Sequence, residues 1–182
     1  MRLFTGIDLP ESILERLERL LVHFRATAHL KWSPVYNLHI TTKFIGEWPE
    51  EKLEVLKQAF TGIPHLQPVP ISVEGFGWFP NPHRPNVFFV GVHGGEPLKT
   101  LFDATEIVLE PLGIAKEKRP FSPHLTLARI KEPTPLEGIR QAIAHSESTA
   151  FGSFEAREFH LYLSKPGAAG SVYTKLSTFP FS

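Results

Sequence analysis

The sequence contains no cysteine and a single methionine among its 182 residues. Without cysteine there is no disulfide framework, no thiol nucleophile and no thiolate metal site. No apolar run approaches the roughly 20 residues that a transmembrane helix needs. Near the start of the chain, Asp8 and Pro10 interrupt the apolar residues too early for a signal sequence. We therefore expect a cytoplasmic protein that does not insert into a membrane.

The sequence also lacks an excess of charge of either sign. Its 19 basic and 19 acidic residues give a formal net charge of zero. A broad nucleic-acid-binding face is not expected, because such affinity comes mainly from neutralised phosphates, but a small anion pocket remains compatible with this balance. The hydrophobic content of 42% is typical of a globular chain. We predict one domain spanning residues 1–182, acting as a monomer.

One sequence pattern occurs twice, 85 residues apart (124 − 39). The first copy runs from Asn37 to Glu47 and the second from Ser122 to Glu132, and the two align without a gap. Each copy contains a His, an apolar residue and a Thr, followed by a basic residue, Lys43 or Arg129. Because internal similarity indicates repeated structural units, we predict two similar halves related by a pseudo-two-fold axis.

The apolar periodicity predicts strands and helices in the order β-α-β-α-β-β-α-β-α-β-β. The predicted strands are Arg2–Asp8, Tyr36–Ile45, Ile71–Phe79, Val87–His93, Phe121–Ile130, Glu158–Ser164 and Val172–Thr178. The predicted helices follow Pro10, Pro49, Pro97 and Pro135, since proline is favoured in a first helical turn. A glycine-rich loop from Gly167 to Gly170 joins the last two strands. Short turns favour antiparallel pairing, so we predict a bilobal α+β fold with antiparallel sheets, outer helices and a central groove.

The two repeated strands are expected to present their polar side chains on one face. Side chains alternate along a strand, so His39, Thr41 and Lys43 share a face, as do His124 and Thr126. The opposite face of the first strand should pack on the core; its side chains are Leu38, Ile40, Thr42 and Phe44. If the polar faces meet across a groove, two imidazoles and two hydroxyls converge there.

This set of groups suits phosphoryl chemistry without a metal. One imidazole can take a proton from water while the other gives a proton to a leaving oxygen, because the histidine pKa of about 6.5 lies near working pH. Threonine hydroxyls can donate to phosphate oxygens, and Lys43 or Arg129 can balance the growing charge. The sequence shows neither paired metal-ligand spacing nor a phosphate-binding glycine-rich loop, so we expect no metal and no cofactor.

Two points stay open at this level. Arg129 lies five residues after His124, so strict alternation points it to the other face. It reaches the groove only if the strand ends or bulges near Ala128. The alternative interpretation of both histidines is structural, as half-buried strand residues that are hydrogen-bonded to the backbone.

At these residues the sequence resembles the 2H phosphoesterase superfamily, which is named for two His-x-Thr/Ser-x motifs. Here the motifs are residues 39–42 and 124–127. The chain is most similar to the bacterial and archaeal RNA 2′,3′-cyclic phosphodiesterases, also called 2′-5′ RNA ligases. The other segments that carry the resemblance are Arg2 to Pro10, Asn37 to His39, Phe44 to Glu47, Arg119 to His124 and Tyr173 to Phe179.

The resemblance implies a bilobal α+β fold whose central groove holds both histidines. It implies that the protein opens a 2′,3′-cyclic phosphate at the 3′ end of an RNA or on a nucleotide and leaves a 2′-phosphate. By the same resemblance, His39 is the proton donor to the departing 3′ oxygen and His124 is the base that activates water. Thr41, Thr126 and Arg129 would hold the phosphate. Reversible 2′-5′ RNA ligation is a further activity of such proteins, and a non-catalytic binder of phosphorylated RNA ends or nucleotides is the alternative.

Overall fold

The computed structural model describes residues 1–168 and 170–181, and in this part of the chain nine strands and four α-helices form. The strands are β1 (Arg2–Ile7), β2 (Lys31–Trp32), β3 (Ile40–Glu47), β4 (Val69–Phe79), β5 (Val87–His93), β6 (His124–Arg129), β7 (Ala150–Ala156), β8 (Glu158–Gly167) and β9 (Gly170–Pro180). The helices are α1 (Glu11–Arg25), α2 (Leu53–Thr61), α3 (Gly95–Leu109) and α4 (Glu137–Ala144). None of these helices has the length and apolarity required to cross a membrane. Ala169, within the predicted Gly167–Gly170 loop, lies outside the described residues.

The strands form two sheets in which every pairing is antiparallel. The first sheet has the order β3-β1-β8-β9 and the second has the order β2-β6-β5-β4-β7. Helix α2 contacts β9 and α3 contacts β3, whereas α1 contacts β7 and α4. Buried side chains from both sheets and all four helices make one continuous core. The predicted α+β class with antiparallel sheets and outer helices is confirmed.

The repeat seen in the sequence extends to the elements of the fold. Strand β1, helix α1, strand β3 and helix α2 recur in the same order as β5, α3, β6 and α4. Later strands are exchanged between the two halves, because β4 pairs with β5 in the second sheet and β8 pairs with β1 in the first. Each sheet therefore takes strands from both halves of the sequence, and a cut between the halves would break both sheets.

All seven predicted strands are present, Val87–His93 with the predicted bounds and the others with different bounds, and two further strands were missed. The first repeated strand begins at Ile40, because Val35–Asn37 forms a single 3₁₀ turn. Strand β2 has two residues, too few to show an alternating pattern. Strand β7, which pairs along β4, is interrupted by Gly152 and has few β-branched residues, so its sequence signal is weak.

Strand β3 contains a β-bulge that changes which side chains face the groove. Thr41 and Lys43 pair with successive residues of β1, Gly6 and Thr5, and this leaves Thr42 as the extra residue. An extra residue shifts the alternation of the side chains that follow it. The Thr42 hydroxyl is buried and shares a hydrogen bond of 2.7 Å with that of Thr5.

The bulge makes the predicted facing of Lys43 and Phe44 wrong. Lys43 is 3% exposed and lies on the core side, while Phe44 is 60% exposed. Phe44 pairs with Phe4, which lies two residues from Gly6, so Phe44 shares the face of Thr41. The rule of strict alternation failed at this position because the strand has one residue more than its partner.

Lys43 forms a buried ion pair with α3. Its Nζ lies 2.7 Å from Glu106 Oε1 and donates to the carbonyl oxygen of Ala115 at 2.9 Å. Glu106 is also buried, and its Oε2 accepts a hydrogen bond from the backbone N–H of Glu117 at 2.7 Å. Lys43 therefore ties β3 to α3 and to the loop that follows α3.

We predict that Lys43→Met lowers the free energy of unfolding by about 3 kcal/mol, because it leaves the buried Glu106 carboxylate without a counter-charge. Urea unfolding measures the change. Adding Glu106→Gln should recover part of the loss, since the neutral amide still accepts from the Glu117 N–H. The control is Lys99→Met, which breaks an exposed pair with Asp103 and should cost less than about 1 kcal/mol. Equal losses in Lys43→Met and Lys99→Met would contradict the structural role.

Candidate active site

His39 lies immediately before β3 with its ring orientation fixed by hydrogen bonds and aromatic neighbours. Its Nδ1–H donates to the carbonyl oxygen of Asn37 at 2.7 Å, and its Nε2 lies 2.9 Å from Thr41 Oγ1. The ring stacks on Phe4 with centroids 4.7 Å apart and meets Tyr173 edge-on at 5.2 Å. Because Nδ1 carries the proton in this bond, Nε2 is the nitrogen that can exchange a proton with a ligand.

His124, the first residue of β6, repeats this arrangement. Its Nδ1–H donates to the carbonyl oxygen of Ser122 at 2.8 Å, two residues earlier in the chain, as in the first copy. The edges of Phe79 and Phe89 border the ring at centroid distances of 5.0 and 5.4 Å. Both histidines are therefore held in the same tautomer, with Nε2 left for proton transfer.

Strand β6 contains a bulge at Leu127, in the position that matches the bulge of β3. Thr126 pairs with Phe89 of β5, while Arg129 pairs with Val87, which lies two residues earlier in β5. Residues two apart in a strand face the same way, so Arg129 and Thr126 share a face. This is the bulge that Arg129 needed in order to reach the polar face of its strand.

The basic residues of the two sequence copies are not structural equivalents. The counterpart of Arg129 in β3 is Phe44, and the counterpart of Lys43 in β6 is Ala128. The gapless alignment of the two copies sets Lys43 against Ala128 and Phe44 against Arg129, and the structure keeps this correspondence. One cation and one exposed aromatic ring therefore occupy equivalent positions beyond the two threonines.

The two motif strands contact each other although they belong to different sheets. Burial lowers the pKa of His39, and the charge of His124 lowers it further, so the two imidazoles lie close enough to interact. The hydrogen bond to Asn37 and the charge of Asp8 act in the opposite direction and raise this pKa. The net pKa of His39 is below its ordinary value.

A cavity of about 310 Å³ lies beside His39. Its lining residues are Asp8, Tyr36, Asn37, Leu38, His39, Tyr162, Gly170, Ser171, Val172 and Tyr173. Tyr36 is 76% exposed, and Asn37 Nδ2 donates to the carbonyl oxygen of Ser171 at 2.8 Å, which ties the 3₁₀ turn to β9. The cavity therefore brings together a histidine that can carry a proton, three tyrosine rings and a carboxylate.

Asp8 is the part of this cavity that sequence reasoning missed. It follows β1, accepts hydrogen bonds from Tyr162 O–H and from Lys175 Nζ at 2.6 Å, and lies 3.4 Å from His160 Nε2. Burial alone would raise the pKa of Asp8, but Lys175, Tyr162 and His160 outweigh it and leave that pKa below its usual range. Asp8 and Tyr173 both lie in segments that carry the resemblance, which is the one signal that pointed towards them.

Within residues 1–168 and 170–181, no group of three or more His, Asp or Glu side chains is placed to hold a metal ion. The groups around His39 and His124 are instead proton carriers, hydroxyls and one guanidinium. Such a set can bind a phosphate and move protons on two sides of it.

Two antiparallel sheets that bring two His-x-Thr motifs together define a class of phosphoesterases. Comparison with known proteins identifies the same class. A sequence model of the LigT like Phosphoesterase family matches residues 7–89 and again residues 91–173, one motif in each match. The chain belongs to this family.

Individual relatives extend over almost the whole chain. An Archaeoglobus fulgidus protein named RNA 2′,3′-cyclic phosphodiesterase is 35% identical, with 98% of this chain and 99% of that protein covered. One of the same name from Methanocaldococcus jannaschii is 35% identical over 95% of this chain and 96% of its own length. A crystal structure from Thermus thermophilus has a TM-score of 0.82 at 31% identity, covering 100% of this chain and 98% of that chain. Escherichia coli LigT complexed with 3′-AMP has a TM-score of 0.76 at 26% identity, covering 98% and 97%.

We predict that His39 titrates below its ordinary pKa of about 6.5, because its ring is buried and lies near a second imidazole. An NMR titration of the imidazole resonances measures the midpoint. Asp8→Asn should lower the midpoint further, since it removes a charge that favours the protonated ring. Asp103→Asn, which removes an exposed carboxylate on α3, is the matched control and should leave it unchanged. A midpoint above 6.5, or a rise in Asp8→Asn, would contradict this description of the site.

Proposed function

We propose that this protein hydrolyses 2′,3′-cyclic phosphodiester ends of RNA to 2′-phosphomonoesters by two-histidine acid–base catalysis that needs no metal. The observation that carries the proposal is the matched pair of histidines, each anchored through Nδ1 and each followed by a threonine on the same face. Membership of the phosphoesterase family, and full-length relatives that are named RNA 2′,3′-cyclic phosphodiesterase, support the same reaction.

In the proposed reaction, the cyclic phosphate lies between the two imidazoles. His124 Nε2 takes a proton from water as the water oxygen bonds to phosphorus, and the bond from phosphorus to the 3′ oxygen breaks. His39 Nε2 gives its proton to that oxygen, so the product keeps a 2′-phosphate. Thr41, Thr126 and Arg129 hold the non-bridging oxygens, where negative charge grows.

Burial works against the role of His39 as the proton donor, because it leaves the pKa of this ring below its ordinary value. A donor must begin protonated, and Asp8 supplies a negative charge that favours the protonated ring against the effect of burial. A bound phosphate would add a further negative charge near both imidazoles and so favour protonation. His124 has no carboxylate in the corresponding place, since Phe89 and Val90 of β5 match Gly6 and Ile7 of β1 and the next residue, matching Asp8, is Gly91.

The cavity beside His39 suits the nucleoside that carries the cyclic phosphate. Tyr36 and Tyr173 offer aromatic faces on which a base can stack, a contact that tolerates any base. The relative from Escherichia coli was crystallised with 3′-AMP, which supports a nucleotide ligand for this chain also. RNA 3′ ends or nucleotides are therefore the proposed ligands. Reversible 2′-5′ ligation would use the same groups, with a 5′-hydroxyl in place of water.

The first test is turnover of a cyclic mononucleotide in the presence of EDTA. We expect wild-type activity to survive chelation, and we expect His39→Ala and His124→Ala each to reduce kcat by about 10²–10⁴-fold. The double variant should be little worse than either single one, because the two residues act as a unit. The control is His65→Ala, an exposed loop histidine, which should keep full activity. Tight nucleotide binding without turnover would instead favour the non-catalytic binder.

A second test separates the donor from the base. A substrate with a much better leaving group at the 3′ position should rescue His39→Ala and leave His124→Ala inactive, since only the donor becomes unnecessary. The rate of the wild type should show a bell-shaped dependence on pH, with one limb for each histidine. Rescue of His124→Ala instead would mean that the two roles are reversed.

The phosphate contacts should matter less than the proton carriers. Thr41→Ala, Thr126→Ala and Arg129→Ala should each lower kcat/KM by about 10–100-fold, because each removes one hydrogen bond to a charged group. Steady-state kinetics on the cyclic mononucleotide measures the loss. If one of these variants lost as much activity as His124→Ala, the residue that it replaces would have a role beyond phosphate binding.

A further inference from the structure

Three cations lie together on the groove face of the second sheet, at the end of β6. Strand β2 pairs with β6 so that Lys31 lies directly opposite Arg129. Directly opposed residues of an antiparallel pair point to the same face, with Cβ atoms about 5 Å apart. Since Arg129 shares the face of Thr126 and His124, Lys31 lies on that face also. Lys131 follows Arg129 by two residues, which continues the line of charge away from His124.

These three cations have no counter-charge in the described part of the chain. All three are exposed, and none forms an ion pair among the residues that the structure describes. The charge of Lys131, and after it that of Arg129, lowers the pKa of Lys31, which shows how close the groups lie. By contrast, the exposed Lys99 and Lys116 are paired with carboxylates at 2.7 and 2.8 Å.

The backbone holds this cluster in place. Ser33 N–H donates to the carbonyl oxygen of Leu127 at 2.8 Å, and Ile130 N–H donates to that of Asn86 at 2.8 Å. The chain before and after Arg129 is therefore hydrogen-bonded to both neighbouring segments, and this keeps the like-charged side chains close together. Like charges placed directly opposite each other destabilise a sheet, so the arrangement favours an anion that bridges them.

We propose that Lys31 and Lys131 bind the phosphodiester one nucleotide 5′ of the cyclic end, so that oligonucleotide ends are preferred over cyclic mononucleotides. The inference rests on the proposed function, in which Arg129 holds the cyclic phosphate. Lys31 stands on the neighbouring strand, about 4.8 Å from Arg129, and Lys131 stands two residues further along the chain, so both lysines lie beyond Arg129 as seen from His124. In an RNA 3′ end, the next anion beyond the cyclic phosphate is the 5′-phosphate of the same nucleotide. The zero net charge of the chain agrees with one extra phosphate contact rather than a long RNA track.

The test compares three substrates that share one base: a 2′,3′-cyclic mononucleotide, a dinucleotide with the same cyclic end, and that dinucleotide with a neutral methylphosphonate linkage. At low salt we expect the wild type to prefer the charged dinucleotide over the other two by about tenfold in kcat/KM. The double variant Lys31→Gln/Lys131→Gln should lose this preference and keep its mononucleotide rate within about twofold. The control is Lys99→Gln/Lys116→Gln, which removes two exposed lysines elsewhere and should keep the preference.

Salt dependence gives an independent readout of the same contact. One phosphate on a single strand contributes a slope of about −0.7 to the dependence of log affinity on log salt. The dinucleotide should therefore show a steeper slope than the mononucleotide with the wild type, and the double lysine variant should remove the difference.

The outcomes separate the inference from the function on which it rests. Equal wild-type rates on the charged and methylphosphonate dinucleotides would overturn the inference while leaving the proposed function intact. An equal loss on all three substrates in the double lysine variant would also overturn it, because the lysines would then act on the cyclic end or on folding. No wild-type turnover of any cyclic substrate would overturn the proposed function and the inference together.

Discussion

A β-bulge directly after the threonine of each motif strand is the constraint on which the rest of the site depends. Without the extra residues at Thr42 and Leu127, strict alternation would send Lys43 into the groove and Arg129 into the core. The bulge in β3 instead buries Lys43, where it neutralises Glu106 and anchors α3. The bulge in β6 brings Arg129 onto the face of Thr126. The same irregularity in both strands therefore places Lys43 in the core, where its role is structural, and Arg129 in the groove, where it can bind a ligand.

The two copies share a backbone plan but differ in their chemical surroundings. Each histidine is held through Nδ1 by a carbonyl two residues earlier and packs against an aromatic ring of the adjacent strand, Phe4 or Phe89. In the first copy the neighbours are Asp8 and a tyrosine-lined cavity; in the second they are the cations Lys31, Arg129 and Lys131. This asymmetry matches the proposed substrate, which carries an aromatic base and a further phosphate in addition to the cyclic one.

The exchange of strands between the two halves keeps these differing surroundings together. Strand β8 supplies Tyr162 to the sheet that carries His39, although it comes from the second half of the chain. Strand β9 supplies Lys175, which holds Asp8, from still later in the sequence. The site therefore needs strands from both halves of the chain in one folded body, and a separated first half would lack Tyr162, Lys175 and the charge of His124.

The sequence by itself determined the class of fold, the repeat and the positions of the two His-x-Thr pairs, because periodicity, turn residues and the spacing of like residues are local properties of the chain. It showed that Arg129 needed a bulge but was unable to show that β3 has one too, since a bulge is a mismatch between two strands. The contacts of Asp8 and Lys31 and the pairing of β8 with β1 were decided by tertiary structure alone. Their roles depend on partners that only folding brings into contact: Lys31 and Arg129 are 98 residues apart (129 − 31), and Asp8 and Lys175 are 167 apart.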